Sequence, residues 1–159
     1  MKRKNITIFT DGSCYWKVRL GGSGVYILDD ENNEFFISKG YQNTTINRCE
    51  LRAYILALQT LNENQHLCVT IYSDSNYVVK GVKTLQSFID NNYQGCENSD
   101  LWRIVEKEHD RLRKRVRLRV IWTPGHGKDL NDPIIYGNTV ADILADYKQF
   151  STYEQDIDN

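Results

Sequence analysis

The sequence predicts an α/β fold in three layers, with a mixed five-stranded sheet flanked by helices on both faces. Residues 5–40 read as three short strands joined by turns, which is typical of an antiparallel meander. Apolar residues then change to a helical period over 46–61. A near-continuous apolar run at 67–72 follows, as expected of a central parallel strand covered on both faces. The resulting order β-β-β-α-β-α-α-β-α indicates one sheet between two helical layers.

The meander is defined by its turns. The first strand, residues 5–10, is β-branched and ends at Asp11-Gly12. A glycine cluster at 21–24 precedes the second strand at 25–28. A polar turn then leads to the third strand at 34–39.

The first helix has an apolar stripe at helical spacing, formed by Leu51, Tyr54, Ile55, Leu58 and Leu61. The elements after the 67–72 strand are predicted as a short helix at 77–85, a loop at 91–99, a helix from Asp100 to about 114, a strand at 115–122, a loop at 124–137 and a helix at 138–147.

Length and composition favour a single domain, residues 1–148, followed by an acidic tail at 149–159 that we expect to be flexible. No apolar run approaches the roughly 20 residues that a membrane span needs, and the start of the chain lacks the pattern of a signal peptide. We therefore expect a cytoplasmic protein. The cysteines are widely spaced, which favours reduced thiols over a disulfide framework or a zinc site: Cys14, Cys49, Cys68 and Cys96.

Positive charge is concentrated in one segment. Residues 101–119 contain eight Lys and Arg against three acidic residues, although the net charge of the chain is only −1. Such a segment suits phosphate binding. It is equally typical of a solvated helix end followed by an edge strand that charge protects from aggregation.

Four carboxylates occur in distinctive contexts. Asp11 closes the first strand and Asp74 closes the fourth, so they emerge at the same sheet edge if those strands are parallel neighbours. Glu50 and Asp142 lie on helices that can reach the same place. Four converging carboxylates would repel each other without a cation, and Mg²⁺ prefers such oxygen ligands. The set therefore points to two-metal phosphoryl chemistry.

Each acid has a plainer interpretation when taken alone. Asp11 before Gly-Ser could be a turn residue. Glu50 could be a helix-start charge, and Asp74 could be an N-cap. The joint pattern carries the argument.

The chain resembles the type 1 ribonuclease H family, which cleaves the RNA strand of RNA–DNA hybrids. Six motifs carry the resemblance, in the order that the family has them: Phe-Thr-Asp-Gly-Ser-Cys at 9–14, Thr-Thr-Ile-Asn-Arg-Cys-Glu-Leu at 44–51, Ser-Asp-Ser-Asn-Tyr-Val at 73–78, Asp-Leu-Trp at 100–102, Gly-His at 125–126 and Asn-Thr-Val-Ala-Asp at 138–142. The resemblance implies an RNase H-like fold, with residues 1–148 as the catalytic domain.

The resemblance also implies a mechanism. The metal-binding catalytic residues would be Asp11, Glu50, Asp74 and Asp142. They would hold two Mg²⁺, for which Mn²⁺ is a possible substitute, and the products would carry 5′-phosphate and 3′-hydroxyl ends. His126 would be a mobile catalytic residue that moves protons or assists product release. Hybrid contacts are expected from Gly12, Ser13, Cys14, Thr45, Asn47 and Asn76. We expect a monomer.

The chain departs from the family pattern in three places. Residues 15–20 replace a Gly-Asn-Pro-Gly-type turn, so that Trp16, Lys17 or Arg19 would have to supply the substrate contact made there. Residues 86–99 lack the basic, tryptophan-rich protrusion of many members. The loop after His126 is longer than usual.

Two other functions are consistent with these departures. One is a non-catalytic domain that binds hybrids or acts as a scaffold. The other is a nuclease of the same fold with a different substrate preference, although the Asn-Arg-Cys-Glu context of Glu50 argues against it.

Overall fold

The computed structural model of the chain describes residues 2–157. Its strands are β1 Lys4–Tyr15, β2 Leu20–Asp29, β3 Glu34–Gln42, β4 Leu67–Ser73, β5 Val116–Trp122 and β6 Glu154–Gln155. Its helices are α1 Ile46–Gln59, α2 Asn76–Lys83, α3 Leu85–Asp90, α4 Ser99–Leu112 and α5 Pro133–Leu144. No helix within residues 2–157 combines the length and the apolar character needed to cross a bilayer.

The predicted three-layer α/β fold is confirmed. The sheet order is β5-β4-β1-β2-β3-β6, in which β1 is antiparallel to β2 and parallel to β4. Alternate residues of β1 face opposite layers. Ile8 belongs to a core with the α1 residues Leu51 and Tyr54, whereas Phe9 belongs to a second core with Ala141 of α5. The sheet therefore buries side chains against helices on both faces.

The final segment of the chain adds a strand to the predicted sheet. β6 pairs in parallel with β3, so the sheet has six strands rather than five. Farther along the same segment, the side chain of Asp156 is fully buried as the partner of Arg48 and Arg52. A buried carboxylate between two guanidinium groups is a strong local constraint.

Two helices in the second half of the chain begin at other residues than predicted. α5 begins at Pro133 rather than at residue 138, because Asp132 caps it by accepting from the backbone N–H groups of Ile134 and Ile135 at 2.8 and 3.3 Å. Proline at the first helical position reinforces this start. The N-cap of α4 is Asn98, not Asp100, whose carboxylate instead pairs with Arg48 at 2.7 Å.

The basic segment is largely structural. The side chain of Arg111 bonds Glu108 and the carbonyl of Leu58. Arg117 and Arg119 are exposed on β5, the edge strand of the sheet. This placement agrees with the interpretation that charge protects a sheet edge.

Glycine in β2 lets α5 approach the sheet. Gly24 pairs with Asp11, and a Cβ atom at Gly24 would collide with the backbone carbonyl of Ala141. The close approach brings the α5 turn that contains Asp142 next to the end of β1.

We expect Gly24→Ala to lower the free energy of unfolding by about 2 kcal/mol, because the helix backbone has to move outward. Gly40→Ala is the comparison, since its Cβ would meet the side chain of Phe150, in the segment after α5, and not the backbone of a helix. Urea unfolding of both variants measures the difference. Equal losses would show that α5 is not closely packed at Gly24.

Candidate active site

Two adjacent parallel strands bring Asp11 and Asp74 to one edge of the sheet. Thr10 of β1 is in register with Ser73 of β4. Asp11 is the next residue of β1, and Asp74 is the first residue after β4. Glu50 reaches the same point from the first turns of α1. One carboxylate oxygen from each of these three residues lies within 4.8 Å of the others.

The lack of a side chain at Gly12 lets the backbone of Glu50 approach β1 closely. A Cβ atom there would collide with the backbone of Cys49 and Glu50. The Gly12 N–H donates to Glu50 Oε1 at 2.8 Å and to Asp11 Oδ1 at 2.9 Å. This N–H therefore orients two carboxylates.

The site holds more negative charge than its own residues neutralise. Asp11 is 4% exposed and Glu50 is 7% exposed. Burial is the main cause that raises the pKa of Asp11, and the negative charges of Glu50 and Asp74 raise it further. Burial likewise raises the pKa of Glu50 and of Asp74. Buried carboxylates that repel each other need a proton or a cation.

One carboxylate oxygen of the cluster is free to bind a cation. Within residues 2–157, the buried Oε2 atom of Glu50 has no hydrogen-bond partner. Buried polar oxygens are nearly always partnered, so such an exception suggests a missing ligand. Together with carboxylates from Asp11 and Asp74, it offers the hard oxygen donors that Mg²⁺ and Mn²⁺ bind.

Asp142 and His126 border the cluster on its open side. They line a cavity of about 250 Å³ together with Asp74 and Asn138. Asp142 is exposed and lies outside the 4.8 Å group, yet it is close enough to Asp11 to contribute to the raised pKa of that carboxylate. His126 is exposed and adopts a left-handed backbone conformation, with φ of 60°.

The side chains of Ser13 and Cys14, whose backbone groups are predicted to contact the hybrid, form hydrogen bonds within the protein. The Ser13 hydroxyl donates to the Ala145 carbonyl at 2.5 Å and accepts from the Tyr147 N–H at 3.0 Å. Cys14 Sγ donates to the Thr44 carbonyl at 3.8 Å. Both side chains fasten the end of β1 to its neighbours.

The other predicted contacts lie at two helix starts. Thr45 is the N-cap of α1, where its hydroxyl accepts from the Arg48 N–H at 3.3 Å. Asn47 follows in the first turn and is half-buried. Asn76 is the first residue of α2 and is exposed. Helix starts beside the carboxylates are suitable places for binding a phosphate backbone.

Sequence reasoning missed two residues of this site. Asn138 is buried in the cavity, one helical turn before Asp142, so the four-residue spacing within its motif could have revealed it. Trp122 Nε1 donates to the Asp74 carbonyl at 3.2 Å. Nothing in the local sequence indicates that contact, because it depends on strand pairing.

Comparison with known proteins decides the family. The RNase H family model matches residues 3–149. The chain belongs to the RNase H family. The predicted family and the predicted class of enzyme, a ribonuclease H, are thereby confirmed.

Curated ribonucleases H are similar over most of the chain. A protein named Ribonuclease H from Haemophilus influenzae (strain 86-028NP) is 39% identical over 130 residues, which cover 78% of this chain and 80% of that one. Ribonuclease HI from Pasteurella multocida (strain Pm70) is 38% identical over 138 residues, covering 83% and 85% of the two chains.

A solved structure shows the same fold. LC9-RNase H1, described as a type 1 RNase H with the type 2 active-site motif, superposes with a TM-score of 0.70. The match covers 91% of this chain and 72% of that protein, at 20% sequence identity. At that identity, the likeness supports the fold alone.

Proposed function

We propose that this chain is a Mg²⁺-dependent endoribonuclease that hydrolyses the RNA strand of RNA–DNA hybrids. The observation that carries the proposal is the convergence of three carboxylates, from Asp11, Glu50 and Asp74, in a chain of the RNase H family. One oxygen of this cluster, Oε2 of Glu50, is buried and has no partner within residues 2–157. All four acids of the predicted catalytic set border this one site.

Asp11, Glu50, Asp74 and Asp142 would hold two divalent ions, Mg²⁺ or in its place Mn²⁺. Such ions supply an activated water and neutralise charge on the leaving 3′-oxygen, which leaves 5′-phosphate and 3′-hydroxyl ends. Asp11 is the most rigidly placed ligand, because it lies within β1 and its Oδ1 accepts from the Gly12 N–H.

Residues around the acids would position the substrate. Thr45 and the N-terminus of α1 suit a phosphate, since helix N-termini bind anions. Asn47 and Asn76 offer both donors and acceptors for the minor groove, where the 2′-hydroxyl distinguishes RNA from DNA.

His126 is the proposed proton carrier. Its side chain is exposed beside Asp74 and Asp142, where an imidazole can accept and donate protons. We expect His126→Ala to lower kcat about 100-fold with little change in KM, the size expected for loss of a general acid or base. His66→Ala, remote from the cavity, is the control. A rise in KM with unchanged kcat would assign His126 to substrate binding instead.

A panel of duplexes tests the function. Labelled RNA–DNA, RNA–RNA and DNA–DNA duplexes of one sequence are incubated with the chain in Mg²⁺. The proposal expects internal cuts in the RNA strand of the hybrid only. Cuts in another duplex would indicate a different nuclease, and hybrid binding without cleavage would indicate a binding domain.

A further inference from the structure

The connection between β1 and β2 presents an aromatic side chain to solvent. We call residues 15–19 the hairpin tip, and all five are exposed. Trp16 is 75% exposed, more than any other large apolar side chain within residues 2–157. Exposed tryptophans are costly to keep in water and are enriched where proteins bind partners.

The hairpin tip is held firmly on both sides. Tyr15 stacks on Tyr147, with ring centroids 5.7 Å apart. On the other side, the Arg19 carbonyl accepts from the Thr44 N–H at 3.2 Å, just before the N-cap of α1. A hairpin tip fixed in this way loses little conformational entropy when it binds a ligand.

Positive charges surround the exposed aromatic ring. Lys17 Nζ lies 5.7 Å from the centroid of the Trp16 ring, and Lys148 Nζ lies 5.6 Å from that of Tyr147. Within residues 2–157, Lys17, Arg19 and Lys148 form no ion pair. Aromatic rings among cations are the combination that proteins use to hold single-stranded nucleic acid, by stacking on bases and contacting phosphates.

The hairpin tip is continuous with the candidate active site. Tyr15 lies four residues after Asp11 on the same strand, which corresponds to about 13 Å. Between them lies a groove of about 330 Å³, lined by Ser13, Asp142, Asp146, Tyr147 and Lys148 among others. At about 3.4 Å per nucleotide, Trp16 lies roughly four to five nucleotides from the carboxylates.

We propose that Trp16 stacks on an unpaired base of the RNA strand, four to five nucleotides from the scissile phosphate, where the hybrid gives way to single-stranded RNA. Bases inside a duplex are already stacked on both faces, so away from a duplex end an indole ring can stack only on an unpaired base. Lys17 and Arg19 contact the phosphates beside that base. The inference rests on the proposed function and refines it to hybrids that carry a single-stranded RNA extension.

Cleavage kinetics test the proposal. The wild-type chain, Trp16→Ala and Trp16→Phe are compared on a blunt hybrid and on hybrids that carry an RNA extension at either end. We expect Trp16→Ala to raise KM about tenfold more on an extended hybrid than on the blunt hybrid. Trp16→Phe restores most of the affinity. Phe35→Ala, which removes another exposed aromatic side chain, is the matched control.

Tryptophan fluorescence provides a readout that needs no cleavage. Single-stranded RNA added to the wild-type chain should quench a component of the emission that is missing in Trp16→Phe. Equal KM changes on blunt and extended hybrids, or quenching that persists in Trp16→Phe, would overturn the inference. If the chain cleaves no hybrid, the proposed function fails, whereas the fluorescence result still decides whether Trp16 binds RNA.

Discussion

Asp11→Asn is expected to abolish hybrid cleavage, lowering kcat by at least about 10³-fold, and to make the metal-free protein more stable. The activity falls because, in the proposed function, Asp11 would be the most rigidly placed of the metal ligands. The stability rises because an amide removes one of the buried charges that repel each other in this cluster. The gain should be on the order of 2 kcal/mol.

The pH dependence of stability follows from the raised pKa. Because the folded state disfavours the ionised form of Asp11, the metal-free protein is destabilised at neutral pH, where the unfolded chain ionises this carboxyl freely. Protonation relieves this cost as pH falls through the folded pKa towards the unfolded value near 3.9. The stability advantage of Asp11→Asn should therefore shrink as pH falls.

Thermal unfolding with and without Mg²⁺ measures these effects. Mg²⁺ should stabilise the wild-type chain, because a ligand that binds only the folded state adds to its stability, and should stabilise Asp11→Asn much less. Glu31→Gln, in the exposed turn after β2, is the control for simple loss of charge. A variant that is less stable than the wild type without metal would contradict this account of the cluster.

Asp156→Asn is expected to lower the free energy of unfolding by about 3 kcal/mol, because it breaks a buried ion-pair network. Asp156 accepts from Arg48 at 3.0 Å, from Arg52 at 2.7 Å and from the Thr44 hydroxyl at 2.6 Å. An amide cannot neutralise these guanidinium groups. In a chain of this size, the loss corresponds to a fall in Tm of about 9 °C.

The effect should vanish in acid. Burial opposes ionisation of Asp156, but the bonds from Arg48, Arg52 and Thr44 outweigh it and lower the pKa of the carboxyl. A lowered folded pKa gives stability that is present above the unfolded value near 3.9 and is lost as pH falls through the folded pKa. Urea unfolding at pH 7 and pH 3 measures the change.

A neighbouring acid is the matched control. Glu154 forms an exposed ion pair with Lys39 at 2.6 Å, and Glu154→Gln should cost less than 1 kcal/mol. If Asp156→Asn lowered the free energy of unfolding as little as Glu154→Gln does, the ion pairs of Asp156 with Arg48 and Arg52 would not hold the tail in place. The anchor matters to the site because Arg48 lies two residues before Glu50 on α1.

The sheet and the three central acids could be predicted because they depend on local patterns. Alternation and helical period identify strands and helices, and parallel strands place their carboxyl ends at one edge. This rule places Asp74 just beyond β4, and the parallel register of β1 with β4 brings Asp11 beside it. The extension of β1 to Tyr15 was missed because its polar residues owe their strand conformation to pairing with the glycines of β2.

Contacts between distant segments could not be predicted. The burial of Asp156 depends on two arginines more than 100 residues away, and the tail sequence by itself is that of an exposed acidic end. The Trp122 bond to Asp74 depends likewise on pairing of β5 with β4. The internal hydrogen bonds of the Gly12 N–H and the Ser13 hydroxyl could not be predicted either, because their partners come together only in the assembled fold.

Strand-resolved cleavage of a hybrid tests the central claim most directly. Hybrids labelled on either the RNA or the DNA strand are incubated with the wild-type chain in Mg²⁺ and in a chelator, and the new ends are mapped. The account predicts Mg²⁺-dependent cuts in the RNA strand alone, with 5′-phosphate and 3′-hydroxyl ends. Cleavage that persists in chelator, or an intact RNA strand despite hybrid binding in Mg²⁺, would contradict it.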